Sequence, residues 1–230
     1  MECRQLNPFN APKDGQPMNL KVRISIAIAA GVGLALAVLD GQGVTQVPFR
    51  IFSIGGLVAT LVFALWERFI WKWKVVRYFT DVPLIAGTWR GETVSQYVLP
   101  DKTKLPPIPT AVYISQTASN VTVTLFTGES KSVSERAKLI KDPDGCWRLS
   151  WQYLNTPRPE VRDRSQPHRG AAEVTIGQQT GEGLQGSYFT DRPTQGSLHL
   201  SEWSPVRYGS SATALAGGEF QDAQPYAKGK

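Results

Sequence analysis

The sequence predicts two N-terminal transmembrane α-helices that form a hairpin, followed by an all-β domain that closes as an eight-stranded antiparallel meander β-barrel. Two long apolar segments predict the hairpin, and hydrophobic side chains at every second position after residue 87 predict the strands. Short turn sequences between those strands indicate that consecutive strands pair with each other. The 230 residues accommodate this arrangement as one ordinary domain with an anchor.

The two predicted spans are residues 22–39 (VRISIAIAAGVGLALAVL) and 51–70 (IFSIGGLVATLVFALWERFI). Each approaches the length of about 20 apolar residues that a helix needs to cross a bilayer. Tryptophans and basic residues begin where the apolar stretch of the second span stops, which is typical of a membrane interface. These are Trp66, Trp71, Trp73, Lys72, Lys74 and Arg77. A pair of buried core helices is the alternative, although both segments are apolar all round rather than along one stripe.

Basic residues flank the pair of spans on both outer sides, and the connector 40–50 carries one acid and one base. The positive-inside rule therefore predicts that both termini and the β domain are cytoplasmic. A cleaved signal peptide is an alternative interpretation of the first span, because Ala35-Leu36-Ala37 resembles a cleavage site.

The predicted organisation has four parts: a disordered leader at 1–20, an anchor at 21–74, a β domain at 80–204 and a disordered tail at 205–230. Within the β domain, turn residues separate eight stretches of alternating apolar side chains. The predicted strands are 88–97, 110–117, 120–127, 132–141, 146–154, 170–178, 183–190 and 195–203. A sandwich of two sheets remains the alternative to a closed barrel.

The chain carries no motif of a catalytic or metal-binding protein. It has two histidines and two cysteines, without the spacing of a zinc site or of a nucleophile with its base. We therefore expect no enzyme, no metal and no cofactor. The net charge of +6 suits anionic lipid headgroups or phosphates but is too small for a nucleic-acid scaffold.

Binding is better supported by the residue pattern. Trp147, Trp151, Tyr153 and Tyr188 share one face of their strands, where aromatic rings serve either as core or as platforms for flat heterocycles. The turn 190–196 supplies hydroxyls and a guanidinium, the groups that hold phosphate. An arginine-rich segment, 154–170, either raises the positive potential nearby or is simply solvated.

Four sequence features together resemble a known family. They are the two spans with their Trp-Lys-rich exit, PLIAGTWRG at 83–91, GSYFTDRPTQG at 186–196, and YLNTP at 153–157 with HRG at 168–170. Over residues 20–203 the chain is similar to the two-transmembrane β-strand-rich effectors of bacterial CBASS anti-phage systems.

This resemblance implies a receptor in the bacterial inner membrane. Its barrel would bind a cyclic dinucleotide or trinucleotide made by a partner nucleotidyltransferase (a CD-NTase), and binding would drive homo-oligomerisation and disruption of the lipid bilayer. The resemblance also implies three groups of binding residues. Tyr188, Thr190, Arg192 and Thr194 would contact the ligand, Trp151 and Tyr153 would stack on bases, and Asn155 and His168 would shape the rim.

Two other functions stay open from the sequence alone. One is a membrane-tethered, lipocalin-like carrier of an apolar ligand, which requires a deep apolar lumen. The other is a structural anchor that docks partner proteins and has a filled barrel.

Overall fold

The structure, a computed structural model, describes residues 48–98, 101–177, 182–192 and 194–222. Side chains are described from Gly55 onward. The chain divides into two compact units between Trp73 and Lys74. The leader 1–20 and the first predicted span, 22–39, lie outside the described residues.

The first unit contains helix α1, Pro48–Arg68, and a 3-10 turn, Ile70–Lys72. Helix α1 covers nearly all of the second predicted span, so that segment is helical as expected. Its side chains Leu57, Leu61 and Phe63 are exposed. Of the helices in the described ranges, none has both the length and the apolar character that crossing a membrane requires. The two-helix membrane anchor therefore stays a prediction.

The second unit begins with helix α2, Lys74–Thr80, and continues into eight long strands. They are β1 Gly87–Ser95, β2 Ile108–Gln116, β3 Val121–Phe126, β4 Ser130–Lys141, β5 Trp147–Pro157, β6 His168–Ile176, β7 Leu184–Thr190 and β8 Gln195–Ser204. A 3-10 turn, Pro159–Val161, follows β5. All eight predicted strands are present, and their ends differ from the prediction by a few residues.

Each strand pairs antiparallel with the next one along the chain, and β8 returns to pair antiparallel with β1. Residues 88 to 95 of β1 face residues 204 to 196 of β8, with one bulge between Arg90 and Gly91. The β1–β8 pair closes the sheet, so the predicted meander barrel is confirmed and the sandwich is excluded. A closed sheet leaves no long unpaired edge.

The barrel interior is apolar over most of its length and polar at one end. Leu149, Val174, Leu184, Leu198 and Leu200 are at most 1% exposed and form its centre. Strand alternation places a second, polar group on the same inward face near the connections β1–β2, β3–β4, β5–β6 and β7–β8. These buried polar residues are Ser95, Thr110, Ser132 and Asn155. We call this end of the barrel the loop end.

Residues 205–222 correct the prediction of a disordered tail, because they contain helix α3, Ser211–Ala216, and a short strand β9, Gln221–Asp222. We call them the C-terminal strap. Ala214 packs against Ala111 and Phe126 on the outer barrel face, and β9 extends the sheet beside β8. Ser210 caps α3 by accepting a hydrogen bond from the Thr213 amide.

Arg90 attaches the strap to the barrel wall. Its Nε pairs with Glu202 Oε2 at 2.5 Å, and its guanidinium lies 4.1 Å from the centre of the Phe220 ring. Phe220 in turn stacks on Tyr208 at 5.6 Å. These contacts need a partner surface from distant strands, which explains why the Gly-, Ala- and Ser-rich sequence alone suggested disorder.

An Ala214→Asp substitution is expected to detach the strap. Ala214 has no exposed surface, and an unpaired carboxylate buried there loses its hydration without compensation. We expect the thermal midpoint of the β domain to fall by about 2–8 °C, the shift that about 1 kcal/mol produces in domains of this size range. Ala212→Asp, two residues earlier on the exposed side of the same helix, is the matched control and should change little. Equal midpoints for the two variants would contradict a packed strap.

Candidate ligand-binding rim

The loop end collects the predicted binding residues from three neighbouring strands. Asn155 of β5 lies opposite His168 of β6, and Tyr153 lies opposite Gly170, which in turn faces Thr190 of β7. Arg192 and Thr194 follow in the connection to β8. Six of the eight predicted residues therefore sit at this end. Trp151 and Tyr188 lie one step deeper, where both are in register with Ala172.

Thr190 organises the β7–β8 turn. Its Oγ1 lies 2.6 Å from Thr194 Oγ1 and 3.0 Å from the Arg192 carbonyl oxygen, and it accepts a hydrogen bond from the Arg192 amide at 3.2 Å. The Asp191 carboxylate accepts a hydrogen bond from the Arg169 amide at 3.0 Å, which ties the turn to β6. Because its hydroxyl is occupied inside the turn, Thr190 acts mainly by fixing the position of Arg192.

Arg192 carries the most distinctive feature of the rim. Its Nη2 is buried and has no hydrogen-bond partner within the part of the chain that the structure describes. A buried guanidinium nitrogen without an acceptor is costly. A ligand oxygen, above all an anionic phosphate oxygen, is the partner that would remove this cost.

Three other arginines near the loop end already have side-chain partners. Arg164 contacts Glu129 at 2.5 Å and Arg169 contacts Glu135 at 3.2 Å, so nearby carboxylates offset both charges. Arg158 donates to Ser211 Oγ on the strap at 2.6 Å. Arg148 lies away from the loop end. It forms a bidentate salt bridge with Asp142 and a single contact with Glu173. The arginine-rich segment is therefore mostly engaged within the protein.

A cleft of about 390 Å³ opens beside Arg192. Its volume is within the range of small-molecule pockets, about 300–1,000 Å³. We call it the rim cleft, and its lining residues are Gln96, Tyr97, Phe189, Thr190, Arg192, Thr194 and Gln195. Three of them, Thr190, Arg192 and Thr194, were predicted from the sequence.

Four lining residues were missed: Gln96, Tyr97, Phe189 and Gln195. Gln96 and Tyr97 directly follow β1, roughly a hundred positions before the other members. Closure of the barrel brings them together, since the Gln96 amide donates to the Gln195 carbonyl oxygen at 2.8 Å. No local sequence signal marks this contact. An expectation of a closed barrel, combined with the predicted ends of β1 and β8, would have located it.

The structure separates the predicted aromatic residues by environment. Trp151 is 3% exposed and belongs to the hydrophobic core, which favours a packing role over stacking on a base. Tyr153 is 8% exposed, and its ring lies against Gly170 so closely that a Cβ there would meet the hydroxyl at 2.4 Å. Phe189 and Tyr97, by contrast, are 62% and 40% exposed within the cleft and present accessible rings.

Asn155 and His168 form a small network below the β5–β6 connection. Ser132 Oγ donates to Asn155 Oδ1 at 2.9 Å, and Asn155 Nδ2 lies 3.4 Å from His168 Nδ1. His168 Nδ1 also lies 3.1 Å from the Gln166 carbonyl oxygen. These contacts hold the base of the β5–β6 connection in place, and a role of Asn155 and His168 in shaping the ligand rim stays a prediction.

Burial raises the pKa of the Tyr153 phenol to about 12, with smaller contributions from Tyr188 and Asp191. Tyr153 is therefore neutral at physiological pH, and its hydroxyl retains its proton. In the unfolded chain the same phenol ionises near pH 10. Folding then favours proton binding between pH 10 and 12, so the stabilising contribution is complete below pH 10 and disappears as the pH rises toward 12.

A Tyr153→Phe variant is expected to lose less stability than the parent between pH 9 and 11.5, because it has no buried phenol to ionise. Urea unfolding at the two pH values measures the difference. Tyr78→Phe, which alters an exposed ring in α2, is the control and should reproduce the parent's pH dependence. A Tyr153→Phe variant that matched the parent would show that this phenol does not couple to folding.

The described residues assemble no recognisable catalytic centre. Asp142 is held by Arg148, and Asp144 accepts a hydrogen bond from the Cys146 amide at 2.9 Å. Within the described ranges, no three His, Cys, Asp or Glu side chains are placed to hold a metal ion. The chemistry available at the rim is recognition through hydrogen bonds, charge and aromatic faces.

Comparison with known proteins identifies the family. Residues 80–202 match the family described as Cap15, cyclic dinucleotide receptor domain. The chain belongs to this family. The matched residues begin at the last residue of α2 and end within β8, so they contain β1 to β7 and all of β8 except its last two residues.

A curated relative supports the same assignment. The chain is 28% identical over 152 residues to CD-NTase-associated protein 15 of Staphylococcus schleiferi, covering 66% of this chain and 79% of the relative. The resemblance to CBASS effectors drawn from the sequence is thereby confirmed. The family is a receptor family rather than a catalytic one, which agrees with the expectation of a non-enzyme.

Proposed function

We propose that this chain is a membrane-anchored CBASS effector whose rim cleft binds the phosphate of a cyclic dinucleotide, and that binding promotes self-association and injury of the inner membrane. The observation that carries the proposal is the Nη2 of Arg192, which is buried beside the rim cleft and has no hydrogen-bond partner in the described ranges of the chain. The membership in a cyclic dinucleotide receptor family supports the ligand class.

The geometry of the rim favours an anionic ligand with flat rings. A guanidinium offers phosphate several donors in a fixed plane, and hydrogen bonds to charged groups are stronger than neutral ones. The exposed rings of Phe189 and Tyr97 offer faces on which a base can stack. A cyclic dinucleotide contains both groups, two phosphates and two bases.

The barrel interior argues against the carrier function. Trp151, Leu149 and Leu198 fill the centre of the barrel and are at most 3% exposed. An apolar ligand would have to displace them. The rim cleft, in contrast, mixes amide, hydroxyl and guanidinium groups with aromatic rings, which suits a polar ligand better than a lipid.

The membrane step rests on the two predicted spans and on the exposed apolar side chains of α1, including Leu57 and Leu61. A ligand shifts an assembly equilibrium only as far as it binds one state more tightly than the other. Each tenfold preference for the assembled barrel contributes about 1.4 kcal/mol, and several barrels acting together multiply that preference. The paired spans would then concentrate in one patch of the bilayer.

The test is a titration of the full chain, purified in detergent, with 3′–5′ cyclic di-AMP, cyclic di-GMP and cyclic UMP-AMP. A true ligand at 100 times its Kd stabilises the folded state by about 2.7 kcal/mol, which a thermal shift detects. Linear pApA, which has related groups without the ring, is the control and should shift the midpoint less. If none of these cyclic dinucleotides shifts the thermal midpoint, the proposal that this chain binds a cyclic dinucleotide is overturned. Dye release from liposomes on adding the bound ligand tests the membrane step separately.

A further inference from the structure

A pair of glutamine side chains lies at the end of the seam that closes the barrel. Gln195 Nε2 donates to Gln96 Oε1 at 3.0 Å, and the backbone hydrogen bond from the Gln96 amide to the Gln195 carbonyl holds the two residues in register. Both side chains are exposed and line the rim cleft. Their relative position is thus set by the closure of the sheet rather than by a mobile connection.

The pair has hydrogen-bonding capacity to spare. An amide side chain offers two N–H donors and an oxygen with two lone pairs. The mutual contact uses one donor of Gln195 and one lone pair of Gln96. The Gln96 Nε2 donors and the Gln195 Oε1 acceptor make no other hydrogen bond within the described residues. The unused donors of Gln96 and the unused acceptor of Gln195 therefore lie next to each other at the cleft.

We propose that the Gln96–Gln195 pair reads the hydrogen-bonding edge of one base of the ligand while that base stacks on Phe189. This inference rests on the proposed function and deepens it by naming the residues that select the base. A side-by-side donor and acceptor is the pattern that glutamine uses to recognise a base edge in protein–nucleic acid complexes.

Phe189 is placed to supply the stacking face. It lies opposite Gln195 in the β7–β8 ladder, so the two side chains are neighbours on the same face of the sheet. Its ring is 62% exposed, which leaves a face open to a ligand. Stacking is tolerant of base identity because every base has a π-face. Discrimination between bases consequently has to come from the amide pair.

Arg192 completes the arrangement from within the same cleft. A phosphate bound to its buried Nη2 would fix one end of a nucleotide unit, and the base of that unit would extend toward Phe189 and the glutamines. Affinity for the ligand and selection of the base then depend on different residues. Arg192 contributes affinity for any cyclic dinucleotide, and the glutamines contribute the preference for one base over another.

The test compares affinities for three probes, 3′–5′ cyclic di-AMP, cyclic di-GMP and cyclic UMP-AMP, by calorimetry with the full chain in detergent. For Gln96→Leu and Gln195→Leu we expect the ratio between the tightest and the next probe to fall about tenfold or more, because a well-placed base contact discriminates by that much. Gln185→Leu removes an exposed glutamine of β7 that lies outside the cleft, and it should leave the ratio unchanged.

Three outcomes would overturn the inference. One is an unchanged ratio in both cleft variants, and another is a uniform weakening for all probes. The third is a parent chain that binds the probes with equal affinity, because it would have no base preference to explain. All three leave the receptor function intact. A parent chain that binds none of the probes overturns the proposed function itself, so the two failures are distinguishable.

Discussion

An Arg192→Ala variant is expected to bind every cyclic dinucleotide about 10- to 100-fold more weakly than the parent. Arg192 Nη2 is buried beside the rim cleft and has no hydrogen-bond partner among the described residues, so a ligand phosphate that reaches it would gain a charge-assisted contact. Hydrogen bonds to charged groups contribute about 1.5–3 kcal/mol, and each 1.4 kcal/mol is a factor of ten in affinity. Calorimetry with the full chain measures the loss.

Two further variants separate a specific contact from a general charge effect. Arg164→Ala removes the same charge from the loop end, but Arg164 is exposed and already paired with Glu129, so its loss should matter little. Arg192→Lys keeps the positive charge but loses the planar guanidinium with its parallel N–H donors, so we expect an affinity between those of the parent and Arg192→Ala. Equal losses in Arg192→Ala and Arg164→Ala would mean that the barrel attracts the ligand only through its overall potential.

A Gly186→Ala variant is expected to lose most of the stability of the barrel. A Cβ at this position of β7 would lie 1.8 Å from the Glu173 carbonyl oxygen and 2.7 Å from the Val174 Cα. Both atoms belong to the backbone of the neighbouring strand β6, so no side-chain rotation relieves the clash. The β6–β7 ladder would have to separate, at a cost of about 3 kcal/mol or more.

Gly128→Ala is the matched control, because a Cβ in that β3–β4 turn meets no heavy atom within 4 Å. Its free energy of unfolding should stay the same or rise slightly, since alanine restricts the unfolded chain. Urea unfolding followed by circular dichroism compares the two variants, and the yield of folded protein gives a second readout. If the two variants have similar free energies of unfolding, β6 and β7 can move apart enough to accommodate the added methyl group at little cost.

Most of the barrel was predictable from local sequence. Alternation in Trp147-Arg148-Leu149-Ser150-Trp151 sets the inward face of β5, and the Asp142-Pro143-Asp144-Gly145 turn ends β4 as expected. At that turn Gly145 adopts φ +87°, a conformation that glycine reaches without strain. The strap was not predicted because its anchoring residues, such as Ala214 and Phe220, are isolated apolar side chains in a polar segment. Their packing partners lie on strands far away in the sequence, so no local pattern marks them.

The candidate site was predictable in part. The turn chemistry of Thr190, Arg192 and Thr194 is visible in the sequence, and the structure places all three in one cleft. Periodicity also put Trp151 on the inward face. It could not distinguish a packed ring from an open one, because alternation defines the side of a sheet and not the depth of packing behind it. Gln96 and Tyr97 required the long-range pairing of the first and eighth strands.

Closure of the barrel has a consequence for how newly made chains behave. Seven of the ladders between the eight long strands join neighbours along the chain, whereas the β1–β8 ladder joins residues such as Thr93 and Leu198. Local ladders form early, while pairing across a long loop carries a larger entropic cost and comes late. Because Gln96 and Gln195 meet only through that last ladder, a ribosome-bound or half-folded chain lacks the complete cleft. A ligand bound against both Gln96 and Gln195 would stabilise the β1–β8 ladder and slow its reopening.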